Sequence, residues 1–276
     1  MPSSLEKIGL IAGSGTLAFE FFQNARKGGC EVAVVALSEE TFGALSDKAK
    51  IIVRLSPGQP NKIIKFFLGE NVRRIGFAGK VEKSLLFQKI RFDMEALRFL
   101  TRTRNMSDGT IMNAVLEYCE KNGVEVLSQK EYLSHLLAPE GQIGNRRLKR
   151  SQLKDASYAF RIAREIACLE LGQTVVVHKG AVVALEAIEG TNETIRRGGR
   201  LSGRGPLVCK VARPNQDPRY DIPVVGLETM IALREAGAAA LVIEAGNTFL
   251  LDRDRMIEEA DAAGIAIFGW TATMSE

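Results

Sequence analysis

Residues that could bind a charged phosphate ligand cluster in one short segment of this chain, Lys210–Gly226. Its sequence is KVARPNQDPRYDIPVVG, and it holds the carboxylates Asp217 and Asp221 and the bases Lys210, Arg213 and Arg219. Bases bind phosphate oxygens through charge-assisted hydrogen bonds, and carboxylates can bind a metal ion. The pattern predicts a rigid, charged site for an anionic ligand, with a stiff connector carrying solvated charges as the alternative.

The three prolines of this segment limit its conformation. Each proline fixes its own φ and biases the preceding residue away from helix, so neither a regular helix nor a central strand is expected. In an extended chain Asp217, Arg219 and Asp221 would share one face, with the two aspartates about 13 Å apart at roughly 3.3 Å per residue. That separation is too long for a shared metal ion. Either the chain turns, or only one aspartate acts in the chemistry.

Two loops in the first half of the chain follow predicted strands. The first is GLIAGSGTLA, in which Gly13 and Ser14 come directly before a predicted helix. In doubly wound folds this is where backbone N–H groups at a helix N-terminus meet a ligand phosphate. The second is GFAGKVEKS, which places Gly79 and Lys80 at the same predicted edge, where Lys80 is either a phosphate contact or a turn residue.

The dinucleotide fingerprint is incomplete in this chain. Ala18 stands at the position of its third glycine, and Ser38 stands where an acidic residue would bind the ribose. These departures argue against a nicotinamide cofactor and leave some other ligand at the carboxyl edge of the sheet.

Further polar residues follow predicted strands in the second half. Glu189 and Thr191 come between a hairpin strand and a helix, and Glu244 ends another strand. Glu189 and Glu244 are therefore candidate carboxylates for the same site, whereas Thr191 either contacts the ligand or caps the helix.

Composition excludes several classes of protein. The net charge of +4 does not indicate a general nucleic-acid binder. The four cysteines form no C-x-x-C pair and there are two histidines, which argues against a disulfide framework, a zinc site or a Ser-His-Asp relay. With no apolar run of roughly 18 residues and no signal-peptide pattern, a cytoplasmic protein is expected.

The order of predicted elements indicates two α/β domains. Strands and helices alternate through residues 1–137, which predicts a Rossmann-like parallel sheet covered on both faces. The polar stretch APEGQIGNRRLKR lies in residues 138–150, which are predicted as a linker. Residues 151–276 are predicted as a second, mixed α/β domain with a hairpin turning at Lys179–Gly180. Phenylalanine-rich stretches such as FEFF, KFF and LLFQKIRF are mostly expected in the core.

Several stretches taken together resemble one family across nearly the whole chain. They are IGLIAGSGTL, AGKVEK, VVALEAIEGTNETI, LVCKVARPNQDPRYDIPVVG, ALVIEAG and FLLDRDRMIEEADAAGIAIFG. In this order they resemble the LpxI-type UDP-2,3-diacylglucosamine pyrophosphatases of lipid A biosynthesis. The segment around Asp217 and Asp221 is the most specific part of the resemblance.

The resemblance implies a reaction and an essential aspartate, and the roles of the other site residues are hypotheses. The family hydrolyses the diphosphate of UDP-2,3-diacylglucosamine to UMP and 2,3-diacylglucosamine 1-phosphate, holds its substrate between two domains, and depends on magnesium or another divalent cation. It implies an essential aspartate, placed here on Asp221 with Asp217 as the alternative. Predicted metal ligands are Asp221, Glu189 and Glu244, and predicted substrate contacts are Gly13, Ser14, Gly79, Lys80, Thr191, Lys210 and Arg219.

The resemblance also implies a lipid-linked UDP-sugar as partner and suggests peripheral contact with the cytoplasmic face of the inner membrane, for example through the bases of residues 146–150. A nucleic-acid partner is not expected, and a homodimer is left open. Two other functions are carried as alternatives. The first is a non-catalytic binder or carrier of an anionic glycolipid, and the second is a nicotinamide-dependent oxidoreductase.

Overall fold

The computed structural model describes residues 6–81 and 108–275. The chain divides into two compact units. The first comprises Met1–Ser134 with Pro218–Tyr220, and the second comprises His135–Asp217 with Asp221–Glu276.

The first unit contains a fully parallel sheet. Its strands are β1 (Lys7–Ala12), β2 (Glu31–Ala36), β3 (Ile51–Arg54), β4 (Arg74–Ala78) and β5 (Glu125–Val126), in the order β3-β2-β1-β4-β5. The helices are α1 (Thr16–Lys27), α2 (Glu39–Ser46), α3 (Pro60–Gly69), α4 (Asp108–Lys121) and α5 (Gln129–Leu133). This order is that of a doubly wound fold, and the predicted Rossmann-like sheet is confirmed.

Both faces of this sheet are covered. The space above Gly9 of β1 is filled by the ring of Phe67 from α3, and the space above Gly76 of β4 is filled by Phe21 from α1. Both rings are fully buried. Strands that are buried on both faces read as continuous apolar runs, which is why KIGLIA and EVAVVA lack alternation. Phe21 and Phe67 therefore lie in the core, as expected, whereas LLFQKIRF falls outside the described residues.

The second unit is built on a mixed sheet. Its elements are β6 (Gly141–Ile143), α6 (Arg150–Cys168), β7 (Thr174–His178), β8 (Ala181–Leu185), α7 (Thr191–Ser202), β9 (Leu207–Lys210), β10 (Val224–Val225), α8 (Leu227–Glu235), β11 (Ala240–Glu244), β12 (Phe249–Leu250), α9 (Arg253–Ala263) and β13 (Ala266–Trp270). The sheet order is β6-β13-β11-β9-β7-β8, in which β13, β11 and β9 run parallel. Strands β10 and β12 pair separately. The predicted mixed α/β class is confirmed.

Helices cover both faces of the second sheet as well. Phe160 and Ile166 of α6 pack with Val242 on one face. Residues of α7, α8 and α9 pack on the other face, where Ile195 and Leu233 meet the strands. This layering leaves the strand ends and their loops as the place where polar side chains can gather.

The predicted hairpin at Lys179–Gly180 is present between β7 and β8. Both turn residues have positive φ, 50° and 79°, as a two-residue hairpin turn of the type I′ class requires. The backbone N–H of Gly180 also donates to the Asp155 carboxylate of α6 at 2.9 Å. Local turn chemistry therefore explains this element.

The segment predicted as a linker, residues 138–150, contains a strand. β6 pairs antiparallel with β13 at the edge of the second sheet. An edge strand of three residues has one neighbour and little room for alternation, so its sequence, GQI, carries no strand signal.

Candidate functional site

The Lys210–Gly226 segment makes two turns, at residues 214–215 and 218–220. The backbone N–H of Asp221 donates to the carbonyl oxygen of Asp217 at 2.9 Å, which closes the second turn. The bond joins residues four positions apart, so this is an α-turn. The extended geometry is therefore wrong and the turn is correct: the two aspartates lie at the ends of one turn, with Asp221 exposed and Asp217 half-buried.

Glu244 anchors the start of this segment. Its carboxylate, at the carboxyl end of β11, is 8% exposed. It accepts hydrogen bonds from the backbone N–H of Ala212 at 2.8 Å, from Arg164 at 3.2 Å and from Asn247 at 3.1 Å. These donors hold the chain as it leaves β9. Glu244 therefore positions the start of the segment.

Lys210 connects the two ends of the segment. Its side chain is 7% exposed, and its ammonium Nζ donates to the carbonyl oxygen of Val224 at 2.9 Å. A charged donor that is buried needs such a partner, because removing it from water without one is costly. Lys210 thus fixes the loop between β9 and β10.

Arg213 has a side-chain donor that lacks an acceptor among the described residues. The backbone N–H of Arg213 donates to Oε1 of Gln216 at 2.8 Å. Its side-chain Nε is buried and has no hydrogen-bond partner among the described residues. The side-chain Oε1 of Gln173 is also buried without a hydrogen-bond partner among the described residues. The backbone carbonyl oxygen of Gln173 accepts from the N–H of Val211 at 3.0 Å. Buried groups of this kind are uncommon in native proteins, so the Arg213 Nε is a candidate donor to a ligand or an ordered water.

Register places the predicted residues of the second half at one edge of the sheet. The parallel strands β9 and β11 end at Lys210 and Glu244. The antiparallel strand β7 begins at Thr174, opposite Lys210, and β8 ends at Leu185, next to Val175 of β7. The loop that carries Glu189 and Thr191 therefore starts from the same edge, where ligands of open α/β sheets bind.

Glu189 is held within its own loop. It accepts hydrogen bonds from the backbone N–H of Ala187 at 3.1 Å and from Arg197. Hydrogen bonding to its own backbone N–H, followed by the bond from Arg197, holds the pKa of the Glu189 carboxyl below its ordinary value. The side chain is 28% exposed and pairs with Arg197, so a ligand would have to share Glu189 with that arginine.

Thr191 contacts a buried carboxylate that the sequence did not single out. Its hydroxyl donates to Glu186 at 3.0 Å and lies 3.2 Å from the hydroxyl of Thr174. Glu186 is 8% exposed and also accepts from the backbone N–H of Gln173 at 3.2 Å. Thr191 is the first residue of α7, and Gly190 precedes it as the cap. Glu186 was missed because only tertiary contacts distinguish it from other charged loop residues, whereas Arg213 was one of the bases that the sequence offered for a phosphate.

Residues 6–81 and 108–275 contain no group of three or more His, Cys, Asp or Glu side chains that could hold a metal ion. Asp217 and Asp221 are the carboxylates that share one turn. The predicted metal ligands Glu189 and Glu244 instead have the arginine and backbone partners described above.

In the first unit, the four predicted substrate contacts belong to two loops that pair with each other. Ser14 and Lys80 exchange backbone hydrogen bonds, both 2.8 Å long, and the N–H of Gly13 donates to Ala78 at 2.8 Å. A Cβ atom on Gly13 would lie 2.5 Å from the Lys80 carbonyl oxygen, and one on Gly79 would lie 2.7 Å from Gly13. Glycine is therefore required by the close approach of the two backbones.

This pairing bears on the nicotinamide alternative. The N–H groups of Gly13 and Ser14 are donated to protein carbonyls rather than to a ligand pyrophosphate. The side-chain ammonium of Lys80 is exposed at the same edge. Of the predicted contacts in these loops, Lys80 has the cationic side chain, whereas the Ser14 hydroxyl donates to the Lys80 carbonyl oxygen at 3.1 Å.

A cavity of about 260 Å³ lies beside these loops, within the first unit. It sits at the carboxyl ends of β1 and β4, where the strand order reverses, and α3 and α4 supply much of its wall. Such reversal points are the usual ligand sites of doubly wound sheets. The lining residues are Ile11, Gly13, Leu37, Pro57, Pro60, Ile63, Ile64, Phe77, Ala78, Gly79, Val81, Ile111, Met112, Val115, Tyr118 and Cys119.

Arg219 belongs to the first unit together with Pro218 and Tyr220. Its guanidinium donates to Glu120 of α4 at 3.3 Å. The carbonyl oxygen of the preceding Pro218 accepts from the backbone N–H of Gln129 at 2.8 Å. The role of Arg219 as a phosphate contact stays a prediction. A phosphate would have to share the guanidinium with Glu120.

Comparison with known families covers almost the whole chain. The model of the LpxI N-terminal domain matches residues 7–136, and that of the LpxI C-terminal domain matches residues 139–268. The chain is 31% identical to the UDP-2,3-diacylglucosamine pyrophosphatase LpxI of Caulobacter vibrioides, over 96% of this chain and 98% of that protein.

Comparison with solved structures adds no functional argument. An N5-carboxyaminoimidazole synthetase from Staphylococcus aureus aligns with 74% of this chain and 46% of its own, at 18% identity and a TM-score of 0.26.

Proposed function

Because the chain belongs to the LpxI family, we propose that it hydrolyses the diphosphate of UDP-2,3-diacylglucosamine to UMP and 2,3-diacylglucosamine 1-phosphate. One observation carries this proposal into the structure. The buried Nε donor of Arg213 lacks an acceptor among the described residues and stands in the segment that presents Asp217 and Asp221. A phosphate oxygen would supply that acceptor.

The residues of the segment divide the work. Water adds to one phosphorus, and the bond from that phosphorus to the bridging oxygen breaks, so the bridging oxygen leaves with the other phosphate. Arg213 donates to the diphosphate oxygens and stabilises the charge that develops on them. Asp221, which is exposed, orients the attacking water, and Asp217 is the alternative for that role. Glu244 and Lys210 hold the loop in position through the bonds already described.

A divalent cation, magnesium in the first instance, is part of the proposal. Magnesium commonly binds through one or two carboxylates and the substrate phosphates and keeps several waters. Asp221 and Asp217, at the two ends of one turn, fit that donor set. When bound, the ion neutralises charge on the diphosphate. Glu189 and Glu244 remain weaker candidates for metal ligands, because each carboxylate already accepts hydrogen bonds from protein donors.

The aspartate assignment is tested by UMP release from UDP-2,3-diacylglucosamine with magnesium. We expect Asp221→Asn to lower kcat by at least a hundredfold while the protein stays folded. Asp254→Asn, an exposed aspartate of α9, is the matched control and should keep full activity. Full activity of Asp221→Asn would move the role to Asp217. Absence of turnover in the wild type with lipid retained would favour a carrier.

The metal requirement needs its own measurement. A chelator should stop UMP release by the wild type, and added magnesium should restore it. If the rate is unchanged by the chelator, the metal proposal fails and the hydrolase proposal survives.

We also propose that the protein acts in the cytoplasm, in peripheral contact with the inner membrane. Among the described residues no helix has the length and apolar character needed to cross a bilayer. A surface groove beside α6 supports contact with anionic lipid: it is lined by Arg150, Lys154 and Arg161, with Leu153 40% exposed among them. Cations near an anionic surface contribute about 1 kcal/mol each.

The membrane contact predicts sedimentation with phosphatidylglycerol vesicles and not with phosphatidylcholine vesicles. Charge reversal at Arg150 and Lys154 should weaken this binding, and Arg253→Glu on the exposed surface of α9 should not. Equal binding by all variants would reject the groove. A homodimer stays a prediction, which sedimentation velocity of the purified chain tests.

A further inference from the structure

Glu186 is a buried carboxylate to which the proposed division of work gives no role. It directly follows β8 at the charged edge of the second sheet and is 8% exposed. Its backbone N–H donates to the Thr174 carbonyl oxygen at 2.9 Å. A Cβ atom on Gly172 would lie 2.1 Å from the Glu186 carbonyl oxygen, so this close approach requires glycine. The backbone of Glu186 is therefore fixed against the start of β7.

The two carboxylate oxygens of Glu186 bind two different segments. Oε2 accepts from the backbone N–H of Gln173 at 3.2 Å, next to the start of β7. Oε1 accepts from the hydroxyl of Thr191 at 3.0 Å, at the start of α7. An ionised carboxylate has acceptors and no proton to donate. The single hydroxyl proton of Thr191 is therefore committed to Glu186.

This commitment fixes the direction of the neighbouring hydrogen bond. The hydroxyl oxygens of Thr174 and Thr191 lie 3.2 Å apart, and the distance alone allows either group to donate. Because Thr191 already donates to Glu186, the proton between the two threonines comes from Thr174. A threonine hydroxyl has one proton and two lone pairs. These contacts leave Thr191 with one lone pair, so it presents an acceptor to a group that binds beside it.

We infer that Glu186 is a positioning residue that sets the hydrogen-bonding direction of Thr191, so that Thr191 accepts from a hydroxyl or amide N–H of the ligand and does not donate to its phosphates. The inference rests on the proposed function, because that function supplies a ligand with both kinds of donor. Thr191 is half-buried, so its oxygen is reachable from the edge of the sheet. A phosphate oxygen facing it would meet a second acceptor with no proton between them, which is unfavourable.

Glu186→Gln tests the inference because it keeps the shape of the side chain and reverses one contact. Its amide oxygen still accepts from the N–H of Gln173, while its amide NH₂ donates to Thr191. The Thr191 proton is then released, and Thr191 becomes a donor towards the ligand. Glu258→Gln, exposed on α9, is the matched control. UMP release from UDP-2,3-diacylglucosamine is measured for these proteins, for Thr191→Val and for the double variant.

We expect Glu186→Gln to raise KM roughly tenfold or more and to change kcat less than about threefold, because the lost contact serves binding. Thr191→Val should raise KM about threefold to tenfold. The double variant should equal Thr191→Val within about twofold, because Glu186 acts through the hydroxyl. Glu258→Gln should match the wild type. A Glu186→Gln effect on KM that persists when residue 191 is valine would overturn the inference, since Glu186 would then act by holding Gln173 alone.

Inhibition by inorganic phosphate reports the direction of the hydroxyl separately. In the wild type the inhibition constant should be the same with and without the Thr191 hydroxyl, because that hydroxyl has no proton to donate to the anion. In Glu186→Gln the constant should fall about threefold or more, and adding Thr191→Val should cancel the gain. Weaker inhibition in Thr191→Val alone, or an unchanged constant in Glu186→Gln, would reject the inference.

A substrate analogue distinguishes the two kinds of ligand donor. In UDP-2,3-diacylglucose an ester oxygen replaces the amide nitrogen. A Thr191→Val effect on KM that disappears with this compound assigns the contact to the amide N–H, and one that persists assigns it to a hydroxyl. Should Glu186→Gln fail to fold, Thr191→Ser decides: it keeps the hydroxyl and should match the wild type within about twofold. Equal KM values for the serine and valine variants would reject the contact.

Failure of the proposed function gives a different pattern. If the wild type releases no UMP, the hydrolase proposal fails, and the inference is then judged by equilibrium binding. The probe is 2,3-diacylglucosamine 1-phosphate, and its Kd is measured by calorimetry for the wild type, Glu186→Gln, Thr191→Val and the double variant. The same non-additive pattern in Kd supports the inference. Any other pattern, including no binding by the wild type, rejects it.

Discussion

The carboxyl edges of the two sheets differ in chemistry although the same topological rule produces both. In the first unit the edge is made of glycine loops that bond to each other and an apolar cavity behind them. In the second unit the edge is crowded with charges, and Glu186, Lys210 and Glu244 are all less than a tenth exposed. Parallel strands dictate where a site forms, but the residues after each strand decide whether it binds or reacts.

The largest effect that would separate the two edges is expected at Arg213. Arg213→Ala should lower kcat by a hundredfold to a thousandfold, about 2.7–4 kcal/mol, because it removes a donor to the developing charge. Arg200→Ala, an exposed arginine of α7, should leave UMP release unchanged. A normal kcat for Arg213→Ala would contradict the proposed difference between the two edges, because the charged edge would then have no donor to the phosphate at Arg213.

A loss of stability is expected at Glu244. Glu244→Ala leaves the N–H of Ala212 and the Arg164 guanidinium without their acceptor, and hydrogen bonds to charged groups contribute roughly 1.5–3 kcal/mol. The free energy of unfolding in urea should fall by an amount in that range, and activity should fall with it. Retention of both would show that the loop after β9 is held by other contacts.

The glycine loops should respond through folding rather than chemistry. Gly79 has φ of +92°, and a Cβ there would meet the Gly13 backbone at 2.7 Å. Gly79→Ala should therefore destabilise the protein by about 1–3 kcal/mol. Gly43→Ala, inside α2 with open space around it, should be neutral or stabilise by about 1 kcal/mol or less. Equal thermal midpoints for the two variants would contradict the close approach of the loops.

The smallest effect is a pH dependence at Glu189. Its folded pKa is held below the ordinary value of 4.5, so the carboxylate stabilises the folded state above pH 4.5. That contribution is lost as the pH falls below 4.5 through the folded pKa. Glu189→Gln should thus be less stable than the wild type at pH 7, with the difference shrinking in acid. If the free energy of unfolding of the two proteins changes with pH in parallel, the pairing of Glu189 with Arg197 does not stabilise the fold.

Much of the fold could be predicted because its signals are local. The Lys179–Gly180 turn needs two residues that tolerate positive φ, and buried strands such as KIGLIA are recognised as apolar runs. The edge strand β6 could not be found this way, since three residues with one neighbour carry no pattern.

The candidate site was less predictable because its geometry is set by distant partners. Asp217 followed by Pro218 does indicate a turn, yet the anchoring of Ala212 by Glu244 joins residues 32 positions apart. The cavity was invisible for another reason. Val115 and Met112 repeat at helical spacing, and that spacing is the same whether a helix faces the core or an open space.

The bond between Glu244 and Ala212 also has a consequence in time. A ribosome that has just added Ala212 must still make the 32 residues that lead to its acceptor. At roughly 5–20 residues per second this takes about two to six seconds. During that interval the nascent segment Lys210–Gly226 exists without its anchor, so its start is fixed in place only after β11 has been synthesised.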